Sequence, residues 1–159
     1  MRMKNWKFFC AMLLMATLVF CGCDRGMDPT KSRQAFVGDY TFVSTGNIDL
    51  YMGAVKAFTV PMDKEGEFSI SLAEKSNAVW IVAEGDSLLA SVSGNELYME
   101  PTKEETTMAG VEMKMSFTYG KATLENNRLS WTSDVDITAT YQSVSIAGKG
   151  QVDFVATKK

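Results

Sequence analysis

From residue 111 onward, apolar and polar side chains alternate: Val111, Met113, Met115, Phe117 and Tyr119 against Glu112, Lys114, Ser116 and Thr118. A period of two places the first set on one face of a β-strand and the second on the other. One face is then buried and the other wet. The same alternation occurs at Phe68, Ile70 and Leu72, and at Val135, Ile137, Ala139 and Tyr141, where Asp134, Asp136, Thr138 and Thr140 interleave. No comparable stretch keeps helical spacing beyond about two turns.

Turn-forming residues punctuate these runs. Lys64-Glu65-Gly66, Glu84-Gly85-Asp86, Ser93-Gly94-Asn95 and Asn126-Asn127 each fall between apolar segments and predict hairpins. At Asn126-Asn127 a two-residue turn would pair Glu125 with Arg128 and set Leu124 opposite Leu129, because Asn tolerates positive φ. Such units predict about eight to ten antiparallel strands with turns every 8 to 12 residues, the pattern of a sandwich or barrel. Consecutive hairpins favour an all-β, up-and-down barrel, which also removes exposed edges. The polar, acid-rich residues 101–110 read as a mobile loop at one barrel mouth.

The N-terminus carries an address. Arg2, Lys4 and Lys7 precede an apolar run over residues 8–19, and small Gly22 and Cys23 follow. Charge, apolar run and small-residue cleavage site together form a secretory signal, and the run is short for a membrane span. The segment Phe20-Cys21-Gly22-Cys23 resembles a lipoprotein signal, which implies cleavage after Gly22 and acylation of Cys23. The resulting division is a signal at 1–22, a lipid anchor and flexible linker at 23–35, and a barrel domain at 36–159. Two or more acyl chains hold a protein stably on a membrane.

Cleavage also fixes the cysteine and charge balance. Cys10 and Cys21 leave with the signal and Cys23 is acylated, so the body keeps no thiol for a disulfide. Removing three cations from 16 leaves 13 against 19 acids, a net charge of −6. Nucleic acid is therefore an unsuitable partner, since phosphate binding needs a basic face.

Residues 36–42, Phe-Val-Gly-Asp-Tyr-Thr-Phe, resemble the Gly-x-Trp opening of lipocalins and fatty-acid-binding proteins, with Tyr40 in place of Trp. Gly38, Tyr40, Phe42, Asn47, Asp49, Tyr51, Met52 and Val55 stand at spacings similar to the fatty-acid-binding signature, over residues 38–55. The end of the chain lacks that family's Arg-x-Tyr pair, so its carboxylate recognition does not carry over. As a whole the chain resembles the small calycin-like lipoproteins of gut bacteria, which implies a lipocalin-like barrel and no established activity.

Catalytic chemistry has little to work with. Gly85-Asp86-Ser87-Leu88 spells the nucleophile motif of a serine-esterase family, but the chain has no histidine to accept the serine proton. Asp86-Ser87-Leu88 also resembles a short acceptor for O-linked sugar. Without histidine, and without cysteine in the body, zinc, haem and thiol chemistry have no ligands. Asp134 and Asp136 read as a wet outer face rather than an acid/base pair. No calcium loop of the Asp-x-Asp-x-Asp-Gly type occurs.

The expectation is a non-catalytic, cofactor-free binding protein of a Gram-negative cell envelope, joined to the membrane by its N-terminal lipid. Trp80, Met99, Met113, Met115, Phe117, Tyr119 and Trp131 are the candidate lining of a pocket for a small apolar ligand, since methionines adapt to variable shapes. The alternative is a filled barrel that works as a protein-interaction module, its partner unidentified.

Overall fold

The computed structural model describes residues 29–108 and 111–159. The expected signal, its expected cleavage site and Cys23 lie outside the described residues. Eleven strands follow one short helix: α1 (Pro29–Phe36), β1 (Gly38–Met52), β2 (Val55–Pro61), β3 (Lys64–Leu72), β4 (Ala78–Ala83), β5 (Asp86–Ser93), β6 (Glu96–Met99), β7 (Thr102–Met108), β8 (Val111–Tyr119), β9 (Ala122–Glu125), β10 (Arg128–Tyr141) and β11 (Val144–Lys158).

Every pairing is antiparallel, and β1, β3, β4, β5, β6, β9, β10 and β11 close into an eight-stranded barrel through the β11–β1 ladder. Three strands outrun this ring. β1, β10 and β11, at 15, 14 and 15 residues, extend beyond it and carry a second sheet in the order β2-β1-β11-β10-β8-β7. β1 is flanked first by β3 and then by β2, and β10 first by β9 and then by β8. The molecule is thus a closed barrel continued into a six-stranded sheet whose edges are β2 and β7.

The hairpin turns have the backbone that tight antiparallel connections require. Asn126 and Asn127 have φ of 49° and 63°, and Gln142 and Ser143 have 46° and 66°. Paired positive φ values match the right-handed twist of the flanking strands. Glu125 pairs Arg128 and Leu124 pairs Leu129, the register expected from the sequence. Between the halves the flanking runs break at 62–63, 100–101 and 120–121, two of these following or including a proline that has no N–H to give a ladder.

Two apolar cores result. In the barrel, Phe36, Tyr40, Phe68, Ile70, Val79, Leu97, Leu129 and Ala156 are buried, and Tyr40 stacks on Phe68 at 5.1 Å. Phe42, Trp131 and Phe154 continue that aromatic cluster, Trp131 lying flat on Phe154 at 4.8 Å. In the sheet, Ile48, Leu50, Val135, Ile137 and Val152 are buried, with Met62, Met113, Met115 and Phe117 partly so.

Several expectations are corrected. Residues 29–35 belong to α1, not to a loose linker: Phe36 is fully buried, its carbonyl accepts the Tyr40 hydroxyl at 2.8 Å, and Arg33 donates to the Ala73 and Lys75 carbonyls at 2.9 and 2.7 Å. The helix therefore seals one end of the barrel. Residues 102–108 form a strand rather than a loop, paired from Thr102↔Phe117 to Met108↔Val111. Lys64-Glu65-Gly66 is no turn but the start of β3, where a Cβ on Gly66 would meet the Phe42 ring at 2.6 Å.

Candidate functional site

The seven expected lining residues separate into three groups. Met113, Met115, Phe117 and Tyr119 lie together on the inner face of β8, opposite Ala139, Ile137, Val135 and Ser133 of β10. Met99 and Trp131 pack against the barrel core instead. Trp80 is corrected outright: it stands on the outer face of β4, 38% exposed, while its neighbours Val79 and Ile81 face inward. The barrel interior is filled by its aromatic cluster, and half-buried Met62, Met113 and Met115 belong to the open half.

Between the halves runs a polar waist. On the inner face of β10, Leu129, Trp131, Ser133, Val135 and Ile137 follow one another, and Ser133 is fully buried although its neighbours Thr132 and Asp134 are exposed. Ser133 sits opposite Tyr119 of β8 and Val152 of β11. The Tyr119 hydroxyl shares a 2.8 Å hydrogen bond with that of Thr102. Ser44, also buried, donates to the Met62 carbonyl at 2.8 Å.

Charged groups lie near one another where β3 begins, at the β4–β5 hairpin and on β7. Glu104 lies opposite Met115 in the β7–β8 ladder. Burial pushes its carboxyl up to about 7; Asp86 adds to the rise and Lys64 opposes it. Burial likewise lowers the Lys64 ammonium, with Glu84 and Glu104 pulling the other way. Burial raises the Tyr119 phenol as well, partly offset by its bond to Thr102. Glu84 and Glu104 thus lie within electrostatic reach of Lys64, and Asp86 within reach of Glu104. Among the described residues no three acids converge closely enough to hold a metal ion.

Ser87 of the esterase-like motif is exposed at the start of β5, directly after the Glu84-Gly85 turn. Asp134 and Asp136 behave as outer-face residues: Asp134 accepts from Gln151 at 2.8 Å and Asp136 pairs with Lys149 at 3.0 Å. Two open concavities of about 500 and 450 Å³ lie on the outer surface, one along Gly120, Lys121, Thr132 and Asp153, the second along Thr41, Val43, Glu65 and Glu67.

Sequence reasoning missed Ser133 and Glu104. Ser133 carried a visible signal, a hydroxyl at an inward position of an otherwise apolar alternation. Glu104 carried none until residues 102–108 are known to be a strand. Comparison of the sequence with protein-family models and with curated proteins finds no match.

Proposed function

We propose that this protein is a lipid-anchored, non-catalytic binding protein of the cell envelope with a calycin-like barrel, and that it takes a small apolar ligand in its open half rather than inside the ring. One observation carries the reading: the barrel is packed with aromatic side chains, whereas Met113, Met115 and Phe117 form a half-buried, adaptable face next to β7, which among the described residues pairs only with β8. The buried Tyr40, standing where the resembling families place Trp, supports the calycin-like assignment. Export and acylation at Cys23 rest on the N-terminal pattern, and mass spectrometry of the native N-terminus tests them.

The ligand reading is tested with the full chain in phospholipid nanodiscs, titrated with the fluorescent apolar probe N-phenylnaphthylamine. Saturable binding is expected, weakened at least about tenfold by Met115→Glu, because a charge placed on the apolar track costs more than the contacts it replaces. Probe uptake no greater than that of empty nanodiscs overturns the reading. A second reading, a protein-interaction module, is favoured by the outer face of β4–β6, where Trp80 and Tyr98 are 38% and 44% exposed. Its mark is a stoichiometric partner lost on Trp80→Ser.

A further inference from the structure

Among the polar atoms buried inside the described residues, the Ser133 hydroxyl and the Trp131 indole N–H have no hydrogen-bond partner in the protein. They stand two residues apart on the same inner face of one strand, at the waist. Buried polar groups are satisfied in the great majority of structures, and each exception calls for an explanation. The Trp131 ring packs against the barrel core, but neither its N–H nor the Ser133 hydroxyl is needed for that packing.

Their surroundings restrict what could satisfy them. An indole N–H only donates, so its partner must accept, and an ammonium group, which has no lone pair, is unsuitable. A carboxylate would accept, but half-buried Glu104 lies opposite Met115 beside the apolar track, and a second acid buried next to it costs more than a neutral oxygen would. The remaining class is an uncharged oxygen, that of a water or of an ester, ketone or alcohol. From Ser133 toward the open end, β10 presents Val135, Ile137 and Ala139, and β8 presents Phe117, Met115 and Met113 beside them. At about 3.3 Å per residue this apolar track runs roughly 20 Å, room for an extended hydrocarbon chain.

We propose that the waist at Ser133 and Trp131 receives the oxygen-bearing end of a neutral amphiphile whose tail lies along Phe117, Met115 and Met113. The inference rests on the apolar-ligand reading above and adds the identity of the polar end to it.

The test uses the full chain in phospholipid nanodiscs, carrying Trp6→Phe and Trp80→Phe so that Trp131 is the sole indole. Three probes share a twelve-carbon chain: 1-dodecanoylglycerol, dodecanoate and dodecylamine. The ester should bind saturably and shift Trp131 emission to longer wavelength as the indole gains a polar partner. Dodecanoate and dodecylamine should each bind at least about tenfold more weakly. Ser133→Ala should weaken the ester by about five- to tenfold, the usual worth of one hydrogen bond, and leave dodecylamine unchanged. Equal binding of the three probes, unaltered ester affinity in Ser133→Ala or an unmoved emission spectrum overturns the inference while leaving the apolar track as a ligand site. Absence of saturable binding by any probe overturns both.

Discussion

The closed and open halves share β1, β10 and β11 and differ in what faces those strands. In the closed half each strand has two neighbours, and the interior is occupied by Tyr40, Phe42, Phe68, Trp131 and Phe154 in mutual ring contact. In the open half the same three strands carry aliphatic residues, methionines face them from β8 and from position 62, and among the described residues the sheet ends at β2 and β7. Closure therefore goes with rigid, space-filling rings, and openness with side chains that change shape at little cost. Stability should reside mainly in the first half and binding in the second.

The largest test of that division is a pair of truncations. Phe68, buried, stacked on Tyr40 and edge-on to Trp131 at 6.4 Å, should lose about 3–5 kcal/mol on Phe68→Ala. Met115, half-buried on the open face, should lose only about 1–2 kcal/mol on Met115→Ala, since part of its surface is already wet. Urea unfolding of both variants measures the difference. Equal losses would mean that the open half is as firmly packed as the barrel, and would remove the reason for placing a ligand there.

A smaller effect probes how the two halves are joined. At the crossing of β1 and β11, a Cβ on Gly150 would stand 2.4 Å from the Asn47 carbonyl oxygen and 3.0 Å from the Ile48 Cα. Backbone approaches backbone there, so the sheet coils tightly between barrel and extension. Gly150→Ala should cost about 2–3 kcal/mol, because neither neighbour is a flexible side chain that can step aside. Gly94, at φ 60° with open space around it, should cost about 1 kcal/mol on the same change, from backbone strain alone. If the two variants unfold at the same urea concentration, the close crossing does not exist.

What could be read from the sequence follows the same contrast. Asn126-Asn127 disclosed both turn and register, because its pairing partners lie within four residues on either side and its conformation has few alternatives. β8 and the open half of β10 were legible because one of their faces is wet, which makes the alternation plain. Trp80 was not, since Ala78-Val79-Trp80-Ile81-Val82-Ala83 is apolar throughout and period two assigns no face. The strand β7 was hidden for the opposite reason: Lys103, Glu104 and Glu105 resemble a solvated loop, yet charged residues are what an unpaired sheet edge requires to resist aggregation. The polar and charged groups around the waist come from residues far apart in the chain, Lys64, Asp86, Glu104 and Ser133, and only the folded sheet brings their strands together.

The smallest expected effect concerns that waist, and its sign is informative. A carboxyl at 4.5 in an unfolded chain and pushed up to about 7 in the folded one keeps its proton longer in the native state. Native protein therefore binds more protons than unfolded protein between those two values, and stability falls as pH rises through that window. Below about 4.5 both states are protonated and Glu104 destabilises nothing; above about 7 the full cost of holding its charge is present. Because the group is half-buried, solvent screening reduces that cost to the order of 1 kcal/mol. Glu104→Gln should accordingly be more stable than the parent at pH 8 by about that amount, with the advantage disappearing near pH 4. Urea midpoints at the two pH values measure it. An advantage that persists at pH 4 would show that the glutamine merely packs better against Met115, and the waist would then carry no electrostatic penalty to distinguish it from the apolar halves on either side.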